Sequence, residues 1–215
     1  MEWERLKYWN SGEFQVVEER LADLRKRRIV YNPSKGNLFA ALKATPFDTV
    51  KVCLVGQDPY PKHEHATGIA FSIPPSVVEK DWPPTLVNIL KEYCSDLHYP
   101  MPVSGDLTKW AKQGVLLWNC IPSCEMGKAG SHDWYEWSLL TQEIVEKLDE
   151  QGPIVFAFLG YIAQEFAKYV QKSKVISTSH PSPLGARHGF TGSRLFSTIN
   201  VELCALGKEA IDWRL

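Results

Sequence analysis

No apolar run in these 215 residues is long enough to cross a bilayer. The longest, Ile154–Leu159 and Gly114–Trp118, fall far short of the roughly 20 residues that a spanning helix requires. The opening Met1-Glu2-Trp3-Glu4-Arg5 lacks the charged-then-apolar layout of a secretory leader. The expectation is therefore an intracellular protein without a membrane anchor, cytoplasmic in a prokaryote or virus and nuclear in a eukaryotic host. Cysteine is sparse and unpaired: Cys53, Cys94, Cys120, Cys124 and Cys204 are odd in number and show no CxxC spacing, which argues against a disulfide framework or a zinc knuckle. Basic excess is lacking too. A net charge of -1 excludes a generally basic nucleic-acid binder but not a local positive face, because affinity follows the few cations near phosphates.

Motifs are missing as well. Neither GxxxxGK[ST] nor GxGxxG occurs, so no glycine-rich loop cradles a phosphate. No GxSxG elbow presents a serine nucleophile. His63-Glu64-His65 gathers metal-type ligands, with His132, Asp133, His180 and His188 as further donors. A zinc-protease helix, however, needs histidines at i and i+4, and position 67 is Thr67. Solvated loop histidines are the plainer reading.

What is present is an alternation. A helix spans 13–28, with Phe14, Val17, Leu21 and Leu24 at helical spacing and a basic end suited to its dipole. Short continuous apolar runs follow at Val50–Val55, Val115–Trp118, Ile154–Leu159 and Lys174–Thr178. Helical stretches lie between them at Leu86–Cys94, Leu107–Lys112, Trp137–Leu148 and Ile162–Val170, and a closing helix covers Ser193–Leu206. Such runs alternating with helices predict an α/β fold of three layers, a central four-stranded parallel sheet flanked by helices on both faces. With no repeat, low-complexity stretch or linker, residues 1–215 read as one domain, 1–30 being a helical extension.

In open α/β sheets ligands bind beyond the carboxyl ends of the strands. The first run ends in Gln57-Asp58-Pro59-Tyr60, the second in Asn119, the third in Gly160-Tyr161 and the fourth in His180-Pro181-Ser182-Pro183-Leu184. A carboxylate, an amide, aromatics and an imidazole thus converge from distant stretches. One carboxylate with one imidazole suits a dissociative cleavage, the first stabilising a cation and orienting water, the second an anionic leaving group. A side-chain amide offers a donor and an acceptor side by side, as needed to read a pyrimidine edge. Singly, each residue has a blander explanation: a turn former at Asp58, a strand cap at Asn119, core packing for Tyr60, Phe71 and Leu184, a structural histidine at His180.

Gly56-Gln57-Asp58-Pro59-Tyr60, Gly68-Ile69-Ala70-Phe71-Ser72, Gly114-Val115-Leu116-Leu117-Trp118-Asn119 and His180-Pro181-Ser182-Pro183-Leu184 resemble, in order and spacing, the signature blocks of family 1 of the uracil-DNA glycosylase superfamily. Thr45-Pro46-Phe47-Asp48 and Ile211-Asp212-Trp213 extend the resemblance to nearly the whole chain. It implies a hydrolytic glycosylase that releases uracil from single- or double-stranded DNA and leaves an abasic site for base-excision repair, without metal or organic cofactor. Asp58 and His180 would be catalytic, and Gln57, Tyr60, Phe71 and Asn119 would hold uracil. Pro84, Thr85, Gly160, Tyr161 and Ser182 would grip the DNA backbone, and Leu184 would enter the duplex behind the flipped nucleotide. A monomer is expected, with its DNA groove open to a DNA-mimicking protein inhibitor. The chain departs from the family at Pro61 and Thr67, where histidine is usual, at Tyr161 and Gly185, where serine is usual, and at Thr85 in the Pro-Pro-Ser loop. Pro61 and Pro122-Ser123-Cys124, followed by Ser131-His132, resemble a poxviral branch whose members also act as replication subunits, so a catalytically weak DNA-holding accessory subunit on the same fold is the alternative.

Overall fold

The computed structural model describes residues 3–215; Met1 and Glu2, the start of the opening stretch, lie outside them. Six strands form among the described residues: β1 (Tyr31–Asn32), β2 (Val52–Gly56), β3 (Val115–Asn119), β4 (Cys124–Glu125), β5 (Val155–Leu159) and β6 (Lys174–Thr178). Seven α-helices accompany them: α1 (Glu13–Lys26), α2 (Ala40–Ala44), α3 (Pro84–Leu97), α4 (Thr108–Ala111), α5 (Tyr135–Gln151), α6 (Tyr161–Gln164) and α7 (Leu195–Ala205). The central sheet has the order β3-β2-β5-β6, and all its pairs are parallel. The expected four-stranded parallel sheet is thus present.

Strand alternation assigns each apolar side chain to a layer. Cys53, Val55, Leu116, Trp118, Phe156 and Phe158 face one side, where Val17 and Leu21 of α1 and Trp137, Leu140 and Ile144 of α5 cover them. Val52, Leu54, Val115, Leu117, Val155 and Ala157 face the other, under Leu86 and Leu90 of α3 and Phe196, Ile199 and Leu203 of α7. Burial on both faces explains why these strands read as continuous rather than alternating apolar runs. Among the described residues no helix is long and apolar enough to cross a membrane.

Boundaries shift where the backbone is captured. β2 begins at Val52 rather than Val50, because the Val50 N–H returns to Phe47 O in a tight turn. The helix expected over Ile162–Val170 is one α-turn followed by a 3-10 stretch, Glu165–Tyr169. α7 starts at Leu195, since Arg194 is left-handed (φ 55°) and its N–H is taken by the buried Glu92. α3 and α5 run longer than predicted, α3 with proline at its first turn, where its missing N–H costs nothing. The short antiparallel pair β1–β4, Tyr31 opposite Glu125 and Asn32 opposite Cys124, was not expected.

The layers have a measurable consequence. Leu117→Ala, emptying a site 1% exposed, should cost about 2–5 kcal/mol, whereas Val175→Ala on the open edge of β6, 44% exposed, should stay within about 0.5 kcal/mol. Urea unfolding of both variants checks the assignment.

Candidate active site at the carboxyl ends of the strands

The parallel register brings the last residues of β2 and β3 side by side, Gly56 opposite Asn119, and puts Leu159 of β5 opposite Thr178 of β6. The loops leaving these ends enclose a cavity of about 70 Å³ lined by Asp58, Pro59, Tyr60, Pro61, Ala66, Thr67, Gly68, Ile69, Phe71, Ser72, Thr85, Asn119 and His180. That is far below the roughly 300–1,000 Å³ of sites for larger ligands and suits one small planar ring. A wider groove of about 820 Å³ beside the N-terminal turns is lined mainly by aromatic and aliphatic residues, among them Trp3, Trp9, Phe14 and Phe39. Its lining holds Glu4, Lys43 and Asp48 but neither a side-chain amide nor an imidazole.

The cavity floor depends on Gly56. A Cβ there would lie 2.6 Å from Phe71 Cζ and 3.0 Å from Asn119 Oδ1, so only glycine lets both side chains rest on the end of β2. Phe71 is buried and left-handed (φ 65°), a conformation that costs a non-glycine residue energy and concentrates at functional sites. The loop around it is pinned: Ala70 N–H donates to Leu117 O, Thr67 Oγ1 to Ser72 O, and Tyr60 Oη to Phe71 O at 2.9 Å. Tyr60 therefore stands rigidly on the cavity wall, and its burial pushes the phenol pKa up, keeping it a neutral donor. Asn119 is 8% exposed, and its side-chain amide has no hydrogen bond to another described residue, so it is free for a ligand.

The two ionisable groups are shifted in opposite directions. Burial pushes the Asp58 carboxyl above its usual range, opposed by the Gly130 N–H donated to Oδ2 at 2.6 Å. Burial likewise pushes His180 below the ordinary histidine value, since removal from water disfavours whichever form is charged. The Ser182 N–H points at His180 Nδ1, 3.1 Å away. An amide can only donate, so Nδ1 accepts and the ring proton resides on Nε2. Gly160 (φ +93°) lies against the same ring: a Cβ there would be 2.9 Å from His180 Cβ. Asn88 of α3 anchors the loop through Pro181 O.

The structure brings Asp58, Tyr60, Phe71, Asn119, His180 and Thr85 together around one cavity. Pro84 opens α3 beside Thr85. Ser182 is half-buried, whereas Tyr161 (75%) and Leu184 (82%) project into solvent; the Tyr161 ring does not enter the core. Gln57 is not among the lining residues; its carbonyl accepts the Ile121 N–H and the Cys120 thiol. His63 is spent on Asn32 Oδ1, and no group of three or more His, Cys, Asp or Glu among the described residues is placed to hold a metal ion. Gly130 and the Ser182 amide escaped the sequence reading because backbone donors carry no residue signature. Nitrogen NMR of His180 should show the neutral Nε2-protonated tautomer down through pH 6.5, titrating only below the ordinary histidine value; protonation at or above it would contradict the assignment.

The Uracil DNA glycosylase superfamily model matches residues 42–204. A uracil-DNA glycosylase from Enterococcus faecalis is 43% identical over 205 residues, covering 94% of this chain and 89% of that protein. One from Thermobifida fusca is 44% identical, covering 86% and 80%. The crystal structure of mimivirus uracil-DNA glycosylase superposes with a TM-score of 0.88 at 25% identity, covering 96% of this chain and 83% of that one. A variant of mimivirus UNG in complex with UGI also scores 0.88, at 26% identity over 95% of this chain and 84% of that one. The blocks that line the cavity lie within the matched span, and the chain belongs to the uracil DNA glycosylase superfamily.

Proposed function

We propose that the chain is a monofunctional uracil-DNA glycosylase, hydrolysing the bond between uracil and deoxyribose to start base-excision repair. The observation that carries this reading is the gathering, in one ring-sized cavity, of a half-buried carboxylate, a neutral Nε2-protonated imidazole and a side-chain amide that no other residue engages. DNA strands meet the rim, where the first turn of α3 offers the Thr85 N–H to phosphate beside Pro84, which has none, flanked by Gly160, Tyr161 and Ser182. Leu184, almost fully exposed, fills the gap in the stack when the nucleotide swings out.

Inside the cavity uracil stacks on Phe71 and pairs its N3–H and O4 with Asn119, which accepts from the one and donates to the other. Gln57 stands behind the wall, its carbonyl holding the segment that follows Asn119. As the glycosidic bond breaks, its electron pair leaves with the base, and His180 Nε2–H donates to O2 as charge gathers there. The Asp58 carboxylate stabilises the cationic sugar and orients water. Water oxygen bonds to C1′, its proton passes to the carboxylate, and the uracil anion departs. No lysine lines the cavity, so no Schiff base forms and the abasic strand stays intact. A DNA-mimicking inhibitor would occupy the same rim, as the UGI complex of the mimivirus relative suggests. The intact carboxylate and imidazole give the accessory-subunit alternative no support.

The decisive assay is incubation with a uracil-containing oligonucleotide in excess EDTA, followed by alkali cleavage at abasic sites. Cleavage is expected, and Asp58→Asn should lower single-turnover rates by roughly two to four orders of magnitude with DNA binding nearly unchanged. Rates within tenfold of the parent would refute the role of Asp58.

The pH profile follows from the two shifts. Asp58 works ionised and its pKa is raised from 3.8, so activity falls with acid sooner than for a free carboxylate. His180 works neutral and its pKa lies below 6.5, so it too is lost only on the acid side. The rate should rise from acid pH to a plateau that already covers neutrality.

Base choice is a sharper test. Cytosine reverses donor and acceptor against Asn119, leaving buried groups unpaired at about 1–3 kcal/mol each, and thymine adds a methyl that the rigid Tyr60 refuses. Tyr60→Ala should gain thymine release and Asn119→Asp some cytosine release, both losing uracil rate. If Tyr60→Ala ignores thymine while releasing uracil well, the wall lies elsewhere.

A further inference from the structure

Among the described residues, the one hydrogen bond that another residue gives the Asp58 carboxylate comes from Gly130 N–H, in a loop whose residues 126–129 are exposed. Such a loop would hold an amide poorly unless something fixed it. Locally Ser131 does part of this, Oγ accepting the Glu125 N–H and donating to Lys128 O, both at 2.7 Å. The deeper anchor is the next residue. His132 is 1% exposed, stacks on Trp134 with centroids 4.2 Å apart, and sets Nδ1 2.8 Å from Ser123 Oγ. Ser123, fully buried, also accepts Trp137 Nε1–H from α5 at 3.0 Å.

An indole N–H only donates, so Ser123 Oγ accepts from Trp137 and joins it to His132 Nδ1. Burial lowers the His132 pKa to about 4 against the opposing pull of Glu125, so the ring is neutral. The same segment grips the backbone around Asp58. Cys120 and Cys124 thiols donate to Gln57 O and Pro59 O, the carbonyls on either side, at 3.4 and 3.5 Å, and Gly127 N–H donates to Pro61 O. Residues 120–132 thus wrap the turn that bears the carboxylate and are themselves tied to the α5 layer through Ser123 and His132.

We infer that Ser123 and His132 are positioning residues for Asp58: the Trp137–Ser123–His132 relay locks the 126–133 loop so that the Gly130 amide is aimed at the carboxylate. The inference rests on the reading of Asp58 as the catalytic carboxylate. A merely structural pair would change melting temperature alone. A positioning pair changes the titration of Asp58, because losing the Gly130 donor removes what opposes its burial.

The test is single-turnover uracil release from an oligonucleotide at about pH 4 to 8, for His132→Leu, His132→Asn, Ser123→Ala, Asp58→Asn and the His132→Leu/Asp58→Asn double variant. His132→Leu and Ser123→Ala should slow release about ten- to a hundredfold, leave oligonucleotide affinity within roughly twofold, and move the acidic limb up by about half to one pH unit. His132→Asn, whose amide can meet the Ser123 hydroxyl where Nδ1 does, should recover most of the rate. In the Asp58→Asn background His132→Leu should add less than about twofold, since both act on one group. An unmoved limb, or an equal loss in both backgrounds, overturns the positioning role. Should His132→Leu fail to fold by circular dichroism, Ser123→Ala carries the same comparison. Near-parental release by Asp58→Asn itself would instead refute the reading of Asp58, a result distinct from the others.

Discussion

A missing Cβ governs the site. Gly56 ends β2, and over its bare backbone the Phe71 ring and the Asn119 amide meet. Any side chain at residue 56 would displace one of them, and with it either the stacking surface or the edge-reading group. The strained backbone of Phe71 is the counterpart of this contact: the loop accepts a left-handed residue to bring the ring over the strand end. The three anchors of that loop, the Leu117 carbonyl, the Thr67 hydroxyl and the Tyr60 hydroxyl, hold it there. Ring, amide and wall are therefore one coupled unit rather than three separate contacts.

The second constraint is electrostatic. Burial acts on Asp58 and His180 alike but opposes the charged form of each, raising one pKa and lowering the other. The imidazole needs no help to remain neutral, and the amide of Ser182 then selects the tautomer. The carboxylate does need help to remain charged, and no cation supplies it; the donor is a backbone amide. That choice keeps the cavity free of a cation that would pair with Asp58 and compete with the sugar for its charge. It also makes the carboxylate depend on a loop remote in sequence.

Much of this was legible in the residues. The four strands were readable because both sheet faces are buried, which leaves apolar runs bounded by glycine, asparagine and proline. Convergence of Asp58, Asn119 and His180 followed from parallel topology alone, since parallel strands deliver their carboxyl ends to one edge. What stayed hidden is carried by backbone and by position. The Gly130 and Ser182 amides have no residue signature. The two-residue pair β1–β4 is too short to leave a pattern, and Gln57 lies among site residues in sequence yet is not among those that line the cavity. Gly160 looked like a backbone contact for DNA, but the structure also gives it a steric task beside His180.

The departures from the family pattern fall where the chain has local reasons for them. At Gly185 a Cβ would sit 2.3 Å from His180 O, so with this loop course only glycine fits, and the turn closes through Gly185 N–H to Ser182 O and Ser179 Oγ to Gly185 O. Pro61 keeps only its carbonyl for bonding, and that oxygen is used twice, by Asn32 Nδ2 and by Gly127 N–H. Thr67 turns its hydroxyl inward to Ile69 and Ser72 carbonyls and so serves the loop beneath Phe71. Tyr161 alone points outward, adding apolar area and a hydroxyl to the rim without touching the core. Of these four changes three thus act on the stiffness of loops that frame the cavity and one on the surface outside it; the fifth, Thr85, lines the cavity, while the carboxylate, imidazole and amide are left unaltered.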